Sequence, residues 1–167
     1  MPTSTRKGPG SVSEPERLAS PDGTLTVVTE TEPLWRIFSS GIRPGTSRRT
    51  GDTLEWSVSP EEATVRGPRP EGDDVVDLTH VRMVFRLTGP HATSLLAKIC
   101  ALDLDDTMFP EGAAARTLVA GVATEIVRED CDGVPSYLLL PSRSFGRYLS
   151  GVLADAGREF GLEPHQP

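Results

Sequence analysis

Asp77, Thr79 and His80 bring a carboxylate, a hydroxyl and an imidazole within four residues, the side-chain types used in general acid–base and nucleophilic chemistry. Their spacing speaks against a shared site. Successive side chains of a strand point to opposite faces, so Asp77 and Thr79 share one face and His80 takes the other. His80 then reads as a structural hydrogen-bonder at a strand entrance, and Asp77 as an acceptor for backbone N–H groups at the bend. A catalytic site of the three is poorly supported, and the weaker reading of Asp77 is a contact with a ligand or a partner. Cys100 follows an apolar helix face and is expected to be buried, whereas Cys131 lies in an acidic turn and is expected at the surface. His80, His91 and His165 do not combine with either cysteine in a zinc spacing. Asp103, Asp105 and Asp106 offer oxygen ligands without the glycine and terminal glutamate of a calcium loop, so a solvated acidic loop is expected there. The glycines near Gly41 and Gly45 lack the helix and Lys-Ser/Thr of a phosphate loop.

The elements that would carry these residues emerge from patterning. Residues 1–22 are rich in Ser, Pro, Thr, Gly and charge and read as a disordered arm. Leu25, Val27 and Val28 alternate with threonines as a strand, residues 41–52 read as a loop, and residues 53–58 and 63–66 read as short strands around Ser59-Pro60. Residues 23–73 would thus form a small β-rich lobe. Beyond a break at Pro68–Asp74, Val81, Met83, Phe85 and Leu87 alternate as a half-buried strand that Gly89-Pro90 ends. Ala92, Leu95, Leu96 and Ile99 form a helical stripe. Residues 116–119 and 122–128 read as strands about Ala120-Gly121, and residues 136–140 as another. Ser142 can cap a last helix that buries Phe145, Tyr148, Leu149, Val152, Leu153, Ala156 and Phe160, with Gly161 as its stop. The order strand, helix, three strands, helix predicts an α+β domain over residues 74–163: an antiparallel sheet with helices on one face, ferredoxin-like, with residues 164–167 as a tail.

Composition sets outer bounds. A formal net charge of −7 argues against a nucleic-acid surface, and the basic cluster Arg43 to Arg49 reads as a solvated loop, with Arg6 and Lys7 at the terminus. No stretch has the length of a membrane span and no apolar leader region is seen near Met1. Two cysteines do not make a disulfide scaffold, so a cytoplasmic, reduced protein is expected.

Read as a string, the second half is similar to a known family. Val75-Val76-Asp77-Leu78-Thr79-His80 resembles the "V-D-V-S-H" opening of the gamma subunits of heterotetrameric sarcosine oxidase and of glycine-cleavage T-proteins, which are folate-dependent aminomethyltransferases. Leu87-Thr88-Gly89-Pro90-His91-Ala92 resembles their "L-S-G-P-x-A" junction. Leu95-Leu96-Ala97-Lys98 with Cys100-Ala101-Leu102-Asp103-Leu104 resembles the gamma "L-L-A-K-x-C-x-L-D-L". Arg143-Ser144-Phe145, Tyr148-Leu149 and Glu159-Phe160-Gly161 resemble the closing "R-S-F-x-x-Y-L…E-F-G", which favours gamma subunits over T-proteins. Leu54-Glu55-Trp56 is a fainter echo of "P-D-E-W-L". The likeness covers roughly residues 54–161, and the region before it is shorter and more polar than in the family.

The resemblance implies an aminomethyltransferase-type folate-binding fold and a structural role in a larger complex. Such oxidases join a flavin-bearing beta subunit, an alpha subunit with a nucleotide (NAD) site and a folate domain, and a small zinc-binding delta subunit. They oxidatively demethylate N-methyl amines, and tetrahydrofolate collects the carbon. This chain by itself would carry no cofactor. The T-protein stretch "G-G-x-x-D-D" here reads Ala120-Gly121-Val122-Ala123-Thr124-Glu125, so the acid pair is not intact. Glu125 is either an ordinary ion-paired strand residue or a ligand to folate. In the alternative reading, a stand-alone folate-dependent methyl or aminomethyl transferase, the pocket would be Asp77, Arg82 and Glu125. Arg143, Arg147 and Arg158 on the last helix are either solvated or paired with acids of a partner subunit.

Overall fold

The computed structural model describes residues 17–38 and 40–164. Residues 1–16, which carry most of the expected arm with Arg6 and Lys7, lie outside the described residues, as does the end of the tail with His165.

The strands in chain order are β1 (Arg17–Ala19), β2 (Thr26–Glu30), β3 (Leu34–Phe38), β4 (Thr46–Thr50), β5 (Thr53–Ser59), β6 (Glu62–Arg66), β7 (Val75–Asp77) and β8 (Val84–Thr88). Helix α1 (Ala92–Ala97), β9 (Ala114–Val119), β10 (Val122–Arg128), β11 (Ser136–Pro141), helix α2 (Gly146–Gly157) and β12 (Glu163–Pro164) complete the chain. They assemble into a seven-stranded sheet, β12-β1-β2-β8-β11-β10-β9, and a five-stranded sheet, β4-β5-β6-β3-β7. Neighbouring strands pair antiparallel.

Three layers result, and strand alternation explains them. Phe85, Leu87, Ile126, Tyr137 and Leu139 point to one face of the larger sheet and pack on Leu95, Leu96, Leu149 and Leu153 of the helices. The alternate residues Val84, Val127, Leu138 and Leu140 point the other way, onto Leu34, Leu54 and Trp56 of the smaller sheet. A sheet buried on both faces has few polar positions in its central strands, and every residue of β11 is buried.

The antiparallel sheet with helices on one face is as expected, but a four-stranded ferredoxin-like sandwich understates it. The sheets do not divide at residue 73. β2, from the expected lobe, pairs with β8, while β7 pairs with β3 and Leu78 is buried among the smaller sheet's core. Residues 17–22, placed in the arm by composition, instead contribute β1, whose Leu18 is buried.

Several local expectations differ from the structure. The expected loop 41–52 contains β4, whose polar Thr-Ser-Arg-Arg-Thr run gives no apolar alternation. Its arginines are not free in solvent: Arg48 pairs with Glu55 at 2.9 Å and Arg49 pairs with Glu129. β8 begins only at Val84; residues 81–83 form a bend tied by Val81 and Arg82 N–H to Leu78 O and by Met83 N–H to Pro141 O. The last helix is preceded by a 3-10 turn, Arg143–Phe145, and Ser142 gives no side-chain cap. Phe145 lies in that turn, and Tyr148 sits about 100° around the helix from Leu149, on the flank of the buried stripe, so both are about half exposed rather than buried. Gly161 does take the left-handed conformation, at φ 73°, after a second 3-10 turn, Arg158–Phe160.

One glycine fixes the junction between β8 and α1. Gly89 has φ 140°, and a Cβ there would lie 2.1 Å from the carbonyl oxygen of Thr24. No helix among the described residues is long and apolar enough to cross a membrane.

Candidate functional site

The β9–β10 hairpin turns at Ala120 and Gly121, both with positive φ (49° and 81°), the conformation that matches strand twist in a two-residue turn. Its register sets Glu125 opposite Arg116 and Ala123 opposite Leu118. Alternation sends Thr124 and Ile126 towards the helices and Glu125 towards the smaller sheet. Glu125 is only 3% exposed.

A buried carboxylate must be compensated, and this one is. Oε2 accepts from the Trp56 indole N–H at 2.9 Å and from the Thr64 hydroxyl at 3.4 Å. Oε1 accepts from Arg116 Nη2 at 2.9 Å, while Nη2 of Arg36 and Nη2 of Arg82 each stand 3.9 Å from it. Burial raises the carboxyl's proton affinity, but the bonds from Arg116 and Trp56 and the charges of Arg82 and Arg116 outweigh it, leaving the carboxyl below its usual range. Glu125 is therefore an anion at neutral pH with both oxygens engaged.

Glu62 completes the cluster, 3.2 Å from Arg36 and 3.6 Å from Arg116. Arg36, Glu62, Arg82, Arg116, Ala123 and Glu125 line an open pocket of about 280 Å³ at the mouth of the space between the sheets.

The structure brings Arg82 and Glu125 together, but Asp77 does not join them. Asp77 is exposed, its carboxylate accepts from the Thr79 N–H at 2.8 Å, and bonds from Thr79 hold its pKa low. Thr79 in turn ties β3, its hydroxyl accepting from Leu34 N–H at 3.0 Å, and His80 is exposed. The trio expected for a folate-type ligand is not assembled: Asp77 stands apart, and both Glu125 oxygens already accept bonds from Trp56, Thr64 and Arg116.

Sequence reasoning missed Arg36, Trp56, Glu62, Thr64 and Arg116. Arg116 was accessible in principle, because a two-residue hairpin turn at Ala120-Gly121 sets it opposite Glu125. The others come from the smaller sheet, 61 to 69 residues away for Thr64 and Trp56, and no local pattern pairs them with Glu125.

The other singled-out residues have ordinary surroundings. Cys100 is buried, as expected. Cys131 is half-buried rather than exposed, its sulfur 3.6 Å from Arg86 Nη1. Asp103 and Asp105 accept N–H bonds of their own loop, and Asp106 pairs with Arg128 at 2.5 Å. Around α2, Arg143 and Arg147 are exposed, and Arg158 pairs with Asp155 at 3.1 Å.

This architecture defines a class. The fold is similar to the aminomethyltransferase T of the glycine cleavage system from Bartonella henselae, with a TM-score of 0.55, 13% identity, and coverage of 87% of this chain and 47% of that one. It is also similar to a chain of the heterotetrameric sarcosine oxidase from Corynebacterium sp. U-96, solved with pyrrole 2-carboxylate, with a TM-score of 0.70 and 20% identity over 86% of this chain and 90% of that one.

The sequence comparison is narrower. The chain is 35% identical over 94 residues to sarcosine oxidase subunit gamma of Corynebacterium sp. (strain P-1), covering 56% of this chain and 45% of the relative. It is 34% identical over 90 residues to the same subunit from strain U-96, covering 54% and 42%. The resemblance to sarcosine oxidase gamma subunits drawn from the motifs therefore holds, and the match spans less than half the length of these curated relatives. No family model matches.

Proposed function

We propose that this chain is a gamma-type, non-catalytic subunit of a multisubunit flavin-dependent oxidase acting on sarcosine or another N-methyl amine. It supports the assembly of the catalytic subunits. The observation that carries this reading is the 35% identity to a sarcosine oxidase gamma subunit. The chemistry of the buried carboxylate agrees: Glu125 is held by Trp56, Thr64 and Arg116, so it serves cohesion between the sheets rather than proton transfer.

In this reading the partners are larger alpha- and beta-type subunits, with a small zinc-binding delta-type subunit, and flavin, NAD and tetrahydrofolate reside in those chains. The cytoplasm suits it, since Cys100 and Cys131 are free thiols. The contact surface includes the outer face of α2 and the turn before it, where exposed Arg143 and Arg147 lie beside half-exposed Phe145 and Tyr148. Aromatic and arginine side chains are the types that dominate protein interfaces. Arg158 contributes less, because Asp155 already pairs with it.

Co-expression with flavin-bearing oxidase subunits tests the reading. The tagged chain is expected to retain them in fixed stoichiometry, with flavin absorbance only in the complex. A chain that stays monomeric in their presence, or that oxidises an amine alone, overturns it.

A further inference from the structure

The charge around Glu125 does not close. Arg36, Arg82 and Arg116 bring three positive charges to the pocket, and Glu62 and Glu125 bring two negative ones. Glu125 is engaged by Arg116, and Glu62 lies 3.2 Å from Arg36. Arg82 is the least compensated. Its nearest carboxylate oxygen is 3.9 Å away, and its hydrogen bond from Nη1 to Leu140 O is a long one, 3.4 Å. Separately, the Nε of Arg36 is buried with no hydrogen-bond partner. That Nε is sealed from solvent and out of a ligand's reach, so the place for an added acceptor is the guanidinium of Arg82, whose charge is the least compensated of the three.

The pocket's rim narrows what that acceptor belongs to. Ala123 lines the pocket, and Leu118, its cross-strand partner on the same face, is 58% exposed. An aliphatic shelf thus adjoins the cationic mouth. The two carboxylates already present repel a second negative charge on any ligand, and planar guanidinium groups match a carboxylate's two oxygens.

We propose that this pocket binds a small monocarboxylate, its carboxylate on Arg82 and a short aliphatic body on Ala123 and Leu118. This goes beyond the assembly role and does not depend on it.

The test is calorimetric titration of the full chain in low-salt buffer with acetate, butyrate and inorganic phosphate. Saturable 1:1 binding is expected, several-fold tighter for butyrate than for acetate because added methylenes are shielded, and weaker for phosphate. Arg82→Gln should weaken butyrate about tenfold or more. The exposed-rim variant Leu118→Ser should remove the preference for butyrate while sparing acetate. Circular dichroism melts of each variant check folding, and if Arg82→Gln is unfolded the Leu118→Ser comparison decides. Absence of saturable heat in the wild type, phosphate binding as tight as butyrate, or unaltered butyrate binding in both variants overturns the site. None of these results bears on whether the chain joins an oxidase complex, which co-purification reads independently.

Discussion

The indole N–H of Trp56 in β5 donates to Oε2 of Glu125 in β10 at 2.9 Å, joining two sheets through residues 69 positions apart. Trp56 is fully buried, so its N–H has no water to fall back on. Trp56→Phe removes the donor and leaves part of the indole's volume empty. It should lower stability by about 1–3 kcal/mol in urea denaturation followed by far-ultraviolet circular dichroism. An unchanged midpoint would show that the bond contributes nothing to cohesion.

Removing the carboxylate should cost more than removing its donor. Glu125→Ala leaves the arginines facing one another without their buried counter-charge, for which about 3–5 kcal/mol is expected. Arg116 is 48% exposed, so solvent screens its share. A double-mutant cycle between Arg116 and Glu125 should therefore give coupling in the lower part of the range of about 0.5–3 kcal/mol.

Acid should loosen the fold through the same cluster. The folded-state carboxyls of Glu125 and Glu129 lie below their ordinary value of 4.5: burial raises each, but Arg116 and Trp56 for the first, and Arg49 and Arg86 for the second, lower it further. A depressed carboxyl contributes stability that is complete above its unfolded pKa and lost as pH falls through the folded one. Urea midpoints should hold between pH 7 and about 5 and then decline below 4.5. Glu125→Gln should flatten that decline; an identical slope in the variant would assign the acid sensitivity elsewhere.

Gly89 cannot carry a side chain. Its φ of 140° and the 2.1 Å that would separate an added Cβ from Thr24 O act together, and the obstacle is backbone. Gly89→Ala should cost about 4 kcal/mol or more, read as loss of the cooperative thermal transition. Gly151→Ala, a helix position with open space around its Cβ, is the control and should be neutral or slightly stabilising.

The outer face of α2 should matter for association and not for folding. Replacing Arg147, half-exposed Phe145 and Tyr148 by alanine removes a tertiary hydrogen bond at the surface, Tyr148 to Ala120 O at 3.1 Å. The melting temperature should change little, while retention of oxidase subunits in the co-purification assay should be lost. Full retention would move the interface to another surface.

Much of the architecture was written in local patterns. Alternation in residues 122–128 and 136–140, the Ala120-Gly121 turn and the stripe Leu149, Leu153, Ala156 needed only period and turn chemistry; the two strands are present as Val122–Arg128 and Ser136–Pro141, and the helix is shorter than expected because 3-10 turns take its two ends. β4 was hidden because its side chains are polar on both faces and its pairing with β5 supplies the order. Phe145 was misjudged because it lies in a 3-10 turn that nothing in residues 142–148 distinguishes from α-helix, and Tyr148 because it flanks the stripe of Leu149, Leu153 and Ala156.

By itself the sequence carried the resemblance to sarcosine oxidase gamma subunits and the outline of the sheet: motif order from Val75 to Gly161, the broken acid pair at Thr124-Glu125, and helices that cover one side of an antiparallel sheet. Tertiary structure decided what Glu125 does. Its partners Trp56, Thr64, Arg36 and Arg82 come from other strands and a bend, and a carboxylate's character is set by which donors and charges surround it in space. Chain order does not encode that proximity; the stacking of the two sheets creates it.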